Sequence, residues 1–109
     1  MILFLYRAAT ILGSPFILLY LKWREANGKE DPKRFNERIG LAQISRPSGI
    51  LIWLHAASVG ESLSMLPLVE RLLLEKPNSH LMVTTGTTSS AKLMDERLPD
   101  RAFHQYIPV

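Results

Sequence analysis

Two short loops carry most of the residues whose types could do chemistry. The first, HAASVGE, spans residues 55–61 and ends in a carboxylate, Glu61. Small residues let a ligand approach the backbone, and a carboxylate beside a helix start could take the proton from an attacking hydroxyl. The second, TTGTTSS, spans residues 84–90, and its six hydroxyls and one glycine could cradle a phosphate or a sugar.

Helix capping is an alternative explanation for both loops. Ser58 and Glu61 have the spacing of a capping box, in which Ser58 accepts from the Glu61 N–H and the Glu61 carboxylate accepts from the Ser58 N–H. Capping boxes are far commoner than catalytic acids, so the residues alone favour the cap. Ser89 or Ser90 could likewise cap the helix that follows the second loop.

Other motifs with a known mechanism are missing from the sequence. There is no Walker lysine pattern and no GxGxxG, and the three histidines have no metal-ligand spacing. We therefore expect no metal site, no cofactor and no nucleic-acid partner. The chain also contains no cysteine, which excludes a disulfide framework and agrees with a reducing compartment.

The elements that must position these loops alternate between strand and helix. Apolar runs and helical spacing predict strands at 50–54, 81–84 and 103–107 and helices at 59–76 and 90–98. This order predicts an α/β fold with a parallel sheet and helices on its faces, and the run 50–54 suits a strand buried on both faces. Pro67 should interrupt or kink the first of these helices.

Ligands of open α/β sheets bind beyond the carboxyl ends of the strands, so the two loops should meet at one edge. Three strands and two helices cannot complete such a sheet. We therefore expect the polypeptide to continue, or to need a partner. A cooperative unfolding transition of residues 45–109 as a monomer would contradict this expectation.

The amino-terminal part has a different character. Residues 1–21 are apolar with a single charge, Arg7, which is close to the roughly 20 residues that cross a bilayer core. Residues 22–46 carry seven basic and four acidic side chains, a positive-inside pattern that places the rest in the cytoplasm. We predict a membrane anchor at 1–22, a basic juxtamembrane helical segment at 23–47, and an incomplete Rossmann-like domain at 48–109.

Several of these runs together resemble one family. The sequence IWLHAASVGE at 52–61, Pro67-Leu68 and VTTGT at 83–87 are similar to the amino-terminal half of the 3-deoxy-D-manno-octulosonic acid (Kdo) transferases. The apolar leader, the basic stretch with Arg34, Glu37, Arg38 and Gly40, and Arg46-Pro47 occur in the same order. The resemblance covers nearly the whole chain.

The resemblance implies a GT-B glycosyltransferase that transfers Kdo from CMP-Kdo to the lipid A precursor (lipid IVA) with inversion, at the cytoplasmic face of the bacterial inner membrane. This chain would supply the acceptor half, and a carboxyl-terminal donor domain would be missing, so the fragment alone should be inactive. By similarity, Glu61 is the general base. The residues expected to bind substrate are Ser58, Gly60, Thr84, Thr85, Thr87, Arg34 and Arg38.

Three alternatives remain open at this point. Arg34 and Arg38 could meet acceptor phosphates or the membrane surface, or they could be solvated residues of a helix face. The chain as a whole could be a non-catalytic, membrane-tethered module that keeps the first loop only as a cap. It could also belong to a GT-B transferase that acts on another lipid-linked acceptor.

Overall fold

The computed structural model describes residues 1–108 and contains two compact units. One unit is Met1–Pro32 and the other begins at Lys33. The first is mostly helix α1 (Ile2–Ala26), which continues through Pro15. This helix is long and apolar enough to cross a membrane. At its end, Arg24 donates to Glu30 at 2.8 Å, an ion pair within the same unit.

The second unit contains the alternation that the sequence predicts. A 3₁₀ helix (Pro32–Ile39), of which all but Pro32 lies in this unit, is followed by Gly40, whose φ of 87° suits glycine. Then follow β1 (Ile50–His55), α2 (Val59–Glu75), β2 (Ser79–Thr85), α3 (Thr88–Arg97) and β3 (Ala102–Tyr106). The three strands form one parallel sheet in the order β1-β2-β3, which confirms the predicted α/β class.

The core lies between the two later helices and one face of the sheet. Val69 and Leu73 of α2 and Met94 of α3 pack with Leu81 and Val83 of the central strand β2. Because side chains alternate along a strand, these β2 residues face the same side of the sheet. Both helices therefore cover one face, and the apolar residues of α2 point toward it.

Two local predictions need correction. The run 50–54 was expected to be buried on both faces, but Ile50 is 61% and Trp53 60% exposed. The reason is that β1 lies at the edge of the sheet and α2 and α3 cover only one face. Of the two effects expected of Pro67, interruption of the helix is wrong, since α2 runs on to Glu75 with the exposed Pro67 inside it, and a kink stays a prediction.

Candidate functional site

The carboxyl ends of the three strands meet at one edge of the sheet, as parallel pairing requires. The Ala56 amide donates to the carbonyl of Thr84 at 3.0 Å, and the Ile107 amide donates to that of Thr85 at 2.9 Å. These bonds hold the first residues after β1 and β3 against the end of β2. Both predicted loops therefore begin at the same edge.

The first loop caps helix α2. One of the two hydrogen bonds of this cap has a different donor from the one predicted. Ser58 is the N-cap of α2, and its Oγ accepts from the Glu61 amide at 3.1 Å, as expected. The Glu61 carboxylate, however, accepts through Oε2 from the Ala57 amide at 2.7 Å, not from the Ser58 amide. The carboxylate therefore bonds the amide one residue before the N-cap.

This contact leaves half of the Glu61 carboxylate open. The side chain is exposed at the carboxyl edge of the sheet, and no other described residue forms a hydrogen bond with its Oε1. Gly60 lies beside it, and an added Cβ there would meet only the Ser58 Oγ at 3.9 Å. One oxygen thus orients the carboxylate, and the other faces solvent where a hydroxyl could approach.

The second loop is also organised by a cap. Thr87, rather than Ser89 or Ser90, is the N-cap of α3, and its Oγ1 accepts from the Ser90 amide at 3.2 Å. The prediction of a serine cap is wrong because α3 begins at Thr88, two residues earlier than expected. Gly86 precedes this cap, and a Cβ there would lie 3.7 Å from Ile107. Thr87 remains exposed at the mouth of the loop.

Thr84 is buried and engaged by two residues of the neighbouring strand. Its Oγ1 accepts from the Trp53 Nε1–H at 2.9 Å and lies 2.9 Å from the His55 Nδ1. Sequence reasoning assigned no role to Trp53 or His55. The only available signal was that Trp53 and His55 stand two apart on one strand, so their side chains share a face.

Thr85 belongs to a different, buried network. Its Oγ1 lies 2.6 Å from the His104 Nε2, while the Arg34 guanidinium reaches the His104 Nδ1 at 2.9 Å. Arginine can only donate, so the Nδ1 of His104 must accept and its Nε2 must carry the proton. Burial and the nearby Arg34 charge lower the pKa of His104 to about 4, which keeps the ring neutral at neutral pH.

Arg34 is held from several sides. Glu37 accepts from its Nε at 2.7 Å and from its Nη2 at 2.8 Å, and the Tyr106 ring lies 4.7 Å beneath the guanidinium. Burial alone would raise the pKa of Glu37, but hydrogen bonds from Arg34 and the Tyr106 amide outweigh it and hold the pKa below its usual value. The structure therefore places Arg34 in a buried ion pair beside β3, away from the first loop.

Arg38 lies nearer the carboxyl edge. Its Nη1 donates to the carbonyl of Ile107 at 2.6 Å, and the same atom would be 3.9 Å from a Cβ at Gly86. Among the predicted site residues, Ser58, Gly60 and Glu61 lie in the loop after β1, Thr87 lies in the loop after β2, and Arg38 contacts the residue after β3. The polar groups of Thr84, Thr85 and Arg34 are bonded within the protein.

No group of three or more His, Cys, Asp or Glu residues within 1–108 is arranged to hold a metal ion. A surface cavity of about 460 Å³ lies at the opposite end of the sheet, lined by residues such as Glu70, Leu74 and Arg101. It is far from Glu61 along the strands and contributes nothing to the site described above.

Enzymes with open parallel α/β sheets bind ligands beyond the carboxyl ends of the strands, where this domain has the Glu61 carboxylate and the hydroxyl-rich loop at 84–90. Residues 33–109 match the family model described as 3-deoxy-D-manno-octulosonic-acid transferase (kdotransferase). The chain therefore belongs to the Kdo transferase family of glycosyltransferases and corresponds to the amino-terminal domain.

Individual relatives agree with the family model. The chain is 37% identical over 105 residues to the probable 3-deoxy-D-manno-octulosonic acid transferase, mitochondrial, of Arabidopsis thaliana, covering 96% of this chain and 24% of that protein. It is 37% identical over 107 residues to the Rickettsia bellii 3-deoxy-D-manno-octulosonic acid transferase (98% and 25% covered). For the Haemophilus influenzae protein of the same name the identity is 31% over 109 residues (97% and 25% covered).

The chain thus spans about a quarter of the length of these curated relatives. No solved structure gives a significant match to it.

Proposed function

We propose that this chain is the acceptor half of an enzyme that transfers Kdo from CMP-Kdo to the lipid A precursor with inversion, with Glu61 as the general base. Family membership supports the transfer of Kdo. The observation that carries the catalytic assignment is the half-open Glu61 carboxylate, with Oε2 on the Ala57 amide and Oε1 exposed beyond the end of β1.

The chemistry follows from that geometry. An acceptor hydroxyl within about 3 Å of Oε1 would give its proton to Glu61 as its oxygen attacks the anomeric carbon of Kdo. The bond from that carbon to the CMP phosphate breaks, and CMP leaves with the electron pair. A single displacement from the opposite side inverts the anomeric centre. The Ala57 amide holds the carboxylate in place throughout, so less entropy is lost in orienting the carboxylate when the substrate binds.

In this proposal some neighbouring residues shape the loop and others contact the acceptor. Ser58 and Gly60 shape the loop around Glu61, and Thr87 and Arg38 offer a hydroxyl and a cation at the adjacent strand ends for the acceptor. A guanidinium suits the phosphates of a phosphorylated glycolipid.

Thr84, Thr85 and Arg34 complete the proposed substrate-binding set. Their polar groups are bonded within the protein, so their contribution in this proposal is to hold the loops that touch substrate.

The amino-terminal helix would place this site at its substrate. In this proposal residues 1–22 anchor the protein in the bacterial inner membrane, residues 23–47 lie at the cytoplasmic surface, and residues 48–109 form the incomplete acceptor domain. The length and apolar composition of α1 support the anchor. The donor CMP-Kdo would be bound by a carboxyl-terminal half, without which this chain is inactive.

One observation favours a second candidate, a tethered module without catalysis. The Glu61 Oε2 contact with Ala57 and the Ser58 contact with the Glu61 amide are those of a helix cap, and a cap alone needs no substrate. The two readings differ in what the open Oε1 does, so they can be separated by a substitution that keeps the cap and removes the base.

Glu61→Gln is that substitution. The amide oxygen of Gln can still accept from the Ala57 N–H, so stability should stay within about 0.5 kcal/mol of the wild type. Transfer of Kdo from CMP-Kdo to lipid IVA by the full-length protein should fall about a hundredfold or more, because the general base is lost. A near-normal rate would remove Glu61 from the mechanism and leave the cap as its only role.

Ser58→Ala is the matched control. It removes the other half of the cap, which should cost about 1 kcal/mol of stability, but it keeps the carboxylate, so the activity should fall much less than in Glu61→Gln. If both variants lose activity in proportion to their stability, the loop acts only as a cap. If the wild-type protein transfers no Kdo to lipid IVA but does so to another lipid-linked sugar, the proposed acceptor is wrong.

A further inference from the structure

His55 is the last residue of β1, and its side chain is exposed at the carboxyl edge of the sheet. Its Nδ1 lies 2.9 Å from the Thr84 Oγ1, and that oxygen also accepts from the Trp53 Nε1–H at 2.9 Å. No residue within 1–108 forms a hydrogen bond with the other ring nitrogen, Nε2. The ring is therefore held through one nitrogen, and the other stays available to a ligand.

The buried Thr84 hydroxyl determines which nitrogen of His55 carries the hydrogen. Thr84 is 1% exposed, and an indole N–H can only donate, so Trp53 occupies one lone pair of Oγ1. The hydroxyl hydrogen still needs an acceptor, because a buried donor without one is destabilising. In the described part of the chain, the His55 Nδ1 is the acceptor within its reach. The neutral ring therefore accepts at Nδ1 and carries its hydrogen on Nε2, which makes Nε2 a donor.

Backbone contacts tie His55 and Glu61 to one short segment. The Ala56 amide bonds to the Thr84 carbonyl at 3.0 Å, which holds the chain directly after β1. The next amide, that of Ala57, bonds to the Glu61 Oε2 at 2.7 Å. His55 precedes Ala57 by two residues, so their Cα atoms are at most about 7 Å apart. We therefore expect one bound sugar to reach both the open oxygen of Glu61 and the Nε2–H of His55.

The charge at this place favours an uncharged oxygen as the partner of His55. An N–H donor needs an acceptor, which a sugar hydroxyl, a phosphate or a carboxylate could supply. The neighbouring Glu61 carboxylate repels anions, whereas the oxygen of a sugar hydroxyl carries no net charge. In the proposed mechanism the same carboxylate takes the proton of the attacking hydroxyl, so the acceptor sugar is the molecule that lies beside it.

We propose that His55 is a further substrate-binding residue, whose Nε2–H donates to a hydroxyl oxygen of the acceptor sugar next to the attacking hydroxyl. Thr84 is its positioning residue, because it holds the ring and the position of the ring hydrogen without touching the substrate. The inference rests on the proposed function, which supplies the acceptor. It adds a second contact beside Glu61, and two contacts orient a sugar so that one particular hydroxyl meets the base.

Binding of lipid IVA to the full-length protein in detergent tests this contact without any transfer. CMP-Kdo is left out, so the measurement does not depend on Glu61 acting as a base. His55→Asn places its amide oxygen near the Nδ1 position, so it keeps the Thr84 contact and removes the Nε2–H. We expect its Kd for lipid IVA to rise about tenfold, the effect of one lost hydrogen bond. His80→Asn makes the same change at the amino end of β2 and should leave the Kd unchanged.

His55→Gln is the conservative variant, since its longer side chain can place an amide N–H near the Nε2 position. Its Kd should lie between those of the wild type and His55→Asn. Equal Kd values for His55→Asn and a wild type that binds lipid IVA would overturn this inference alone. A wild-type protein that binds no lipid IVA would contradict the proposed function, and this inference with it, so the two failures are distinguishable.

A double-mutant cycle tests the role of Thr84. Thr84→Val should raise the Kd for lipid IVA about threefold or more, because the His55 ring loses its orientation, and Thr84→Ser should restore the wild-type value. In the His55→Asn background, Thr84→Val should have no further effect, since the Nε2–H that Thr84 orients is already absent. A rise of the same size in both backgrounds would show that Thr84 acts only through the fold, and it would overturn its assignment as a positioning residue.

Discussion

The buried edge of β3 and the loop after β1 both use carboxylates, in opposite ways. At the β3 edge, Glu37 is 2% exposed and both of its oxygens are bonded, to Arg34 and to the Tyr106 amide. After β1, the exposed Glu61 bonds the Ala57 amide through one oxygen and leaves the other to solvent. The comparison separates a carboxylate that completes the fold from one that is positioned and still available.

The physical reason is the cost of burial. A buried charge is tolerated only when its partners satisfy it, so both oxygens of the buried Glu37 are bonded, to Arg34 and to the Tyr106 amide. An exposed carboxylate loses little of its hydration, so it can keep one oxygen free to accept a proton. Substitutions at the β3 edge should therefore lower stability, and substitutions in the loop after β1 should lower the rate of Kdo transfer.

The largest effect on stability is expected for Glu37→Ala. It leaves the Arg34 guanidinium without its main anion and the Tyr106 amide without an acceptor, which should cost about 3 kcal/mol or more. Urea denaturation of the full-length protein in detergent would measure it. Glu75→Ala is the control, since Glu75 pairs with Arg71 on the surface at 2.6 Å and should matter by less than about 0.5 kcal/mol. Equal losses of stability in the two variants would contradict the proposed difference between buried and exposed carboxylates.

A pH titration of stability probes the same buried region. The pKa of His104 is lowered to about 4 in the folded protein, against about 6.5 in the unfolded chain. The folded state binds fewer protons, so His104 contributes stability above pH 6.5 that is lost as the pH falls toward 4, about 3 kcal/mol at most. His104→Gln should abolish this part of the slope between pH 6.5 and 4.

Glu37 accompanies His104 in this titration. Hydrogen bonds from Arg34 and the Tyr106 amide outweigh burial and lower the pKa of Glu37, so its contribution to stability is also lost as the pH falls, in the wild type and in His104→Gln alike. A His104→Gln protein that retains the full wild-type slope would show that the buried ring is not its source.

The smallest contrast lies between two adjacent threonines. Thr85→Val leaves the His104 Nε2–H without an acceptor in a buried site, which should cost about 1–3 kcal/mol. Thr84→Val removes the partner of Trp53 and His55, which are both exposed and can bond water instead, so about 1 kcal/mol or less is expected. Thermal unfolding of the two variants side by side gives the difference. A larger loss for Thr84→Val would mean that the face around Trp53 is dry in the full-length protein.

Much of the fold was predictable because the spacing of apolar residues within short segments indicates strands and helices. Apolar runs and helical spacing predicted the three strands and both later helices, and the observed elements differ from the predicted bounds by one to two residues at most ends. Burial of β1 on both faces was not correctly predicted, because the apolar run 50–54 reports how apolar a strand is and not how many neighbours it has.

The candidate site was predictable at Glu61 and Ser58, which lie three residues apart and interact within one helix turn. The roles of Arg34 and Thr85 were not, because their partner His104 stands 70 and 19 residues away. No periodicity connects such positions. The predicted division at residues 22 and 47 stays a prediction, as do the substrate contacts of the loop residues.

The sequence by itself determined the class of fold, the family and the carboxylate at the start of α2, because each is encoded in neighbouring residues or in their order. Tertiary structure decided which charges are structural and which stay open. It closed the β3 edge with Arg34 and Glu37 and left β1 at the edge of the described sheet, since these outcomes depend on groups that meet only when distant segments pack together.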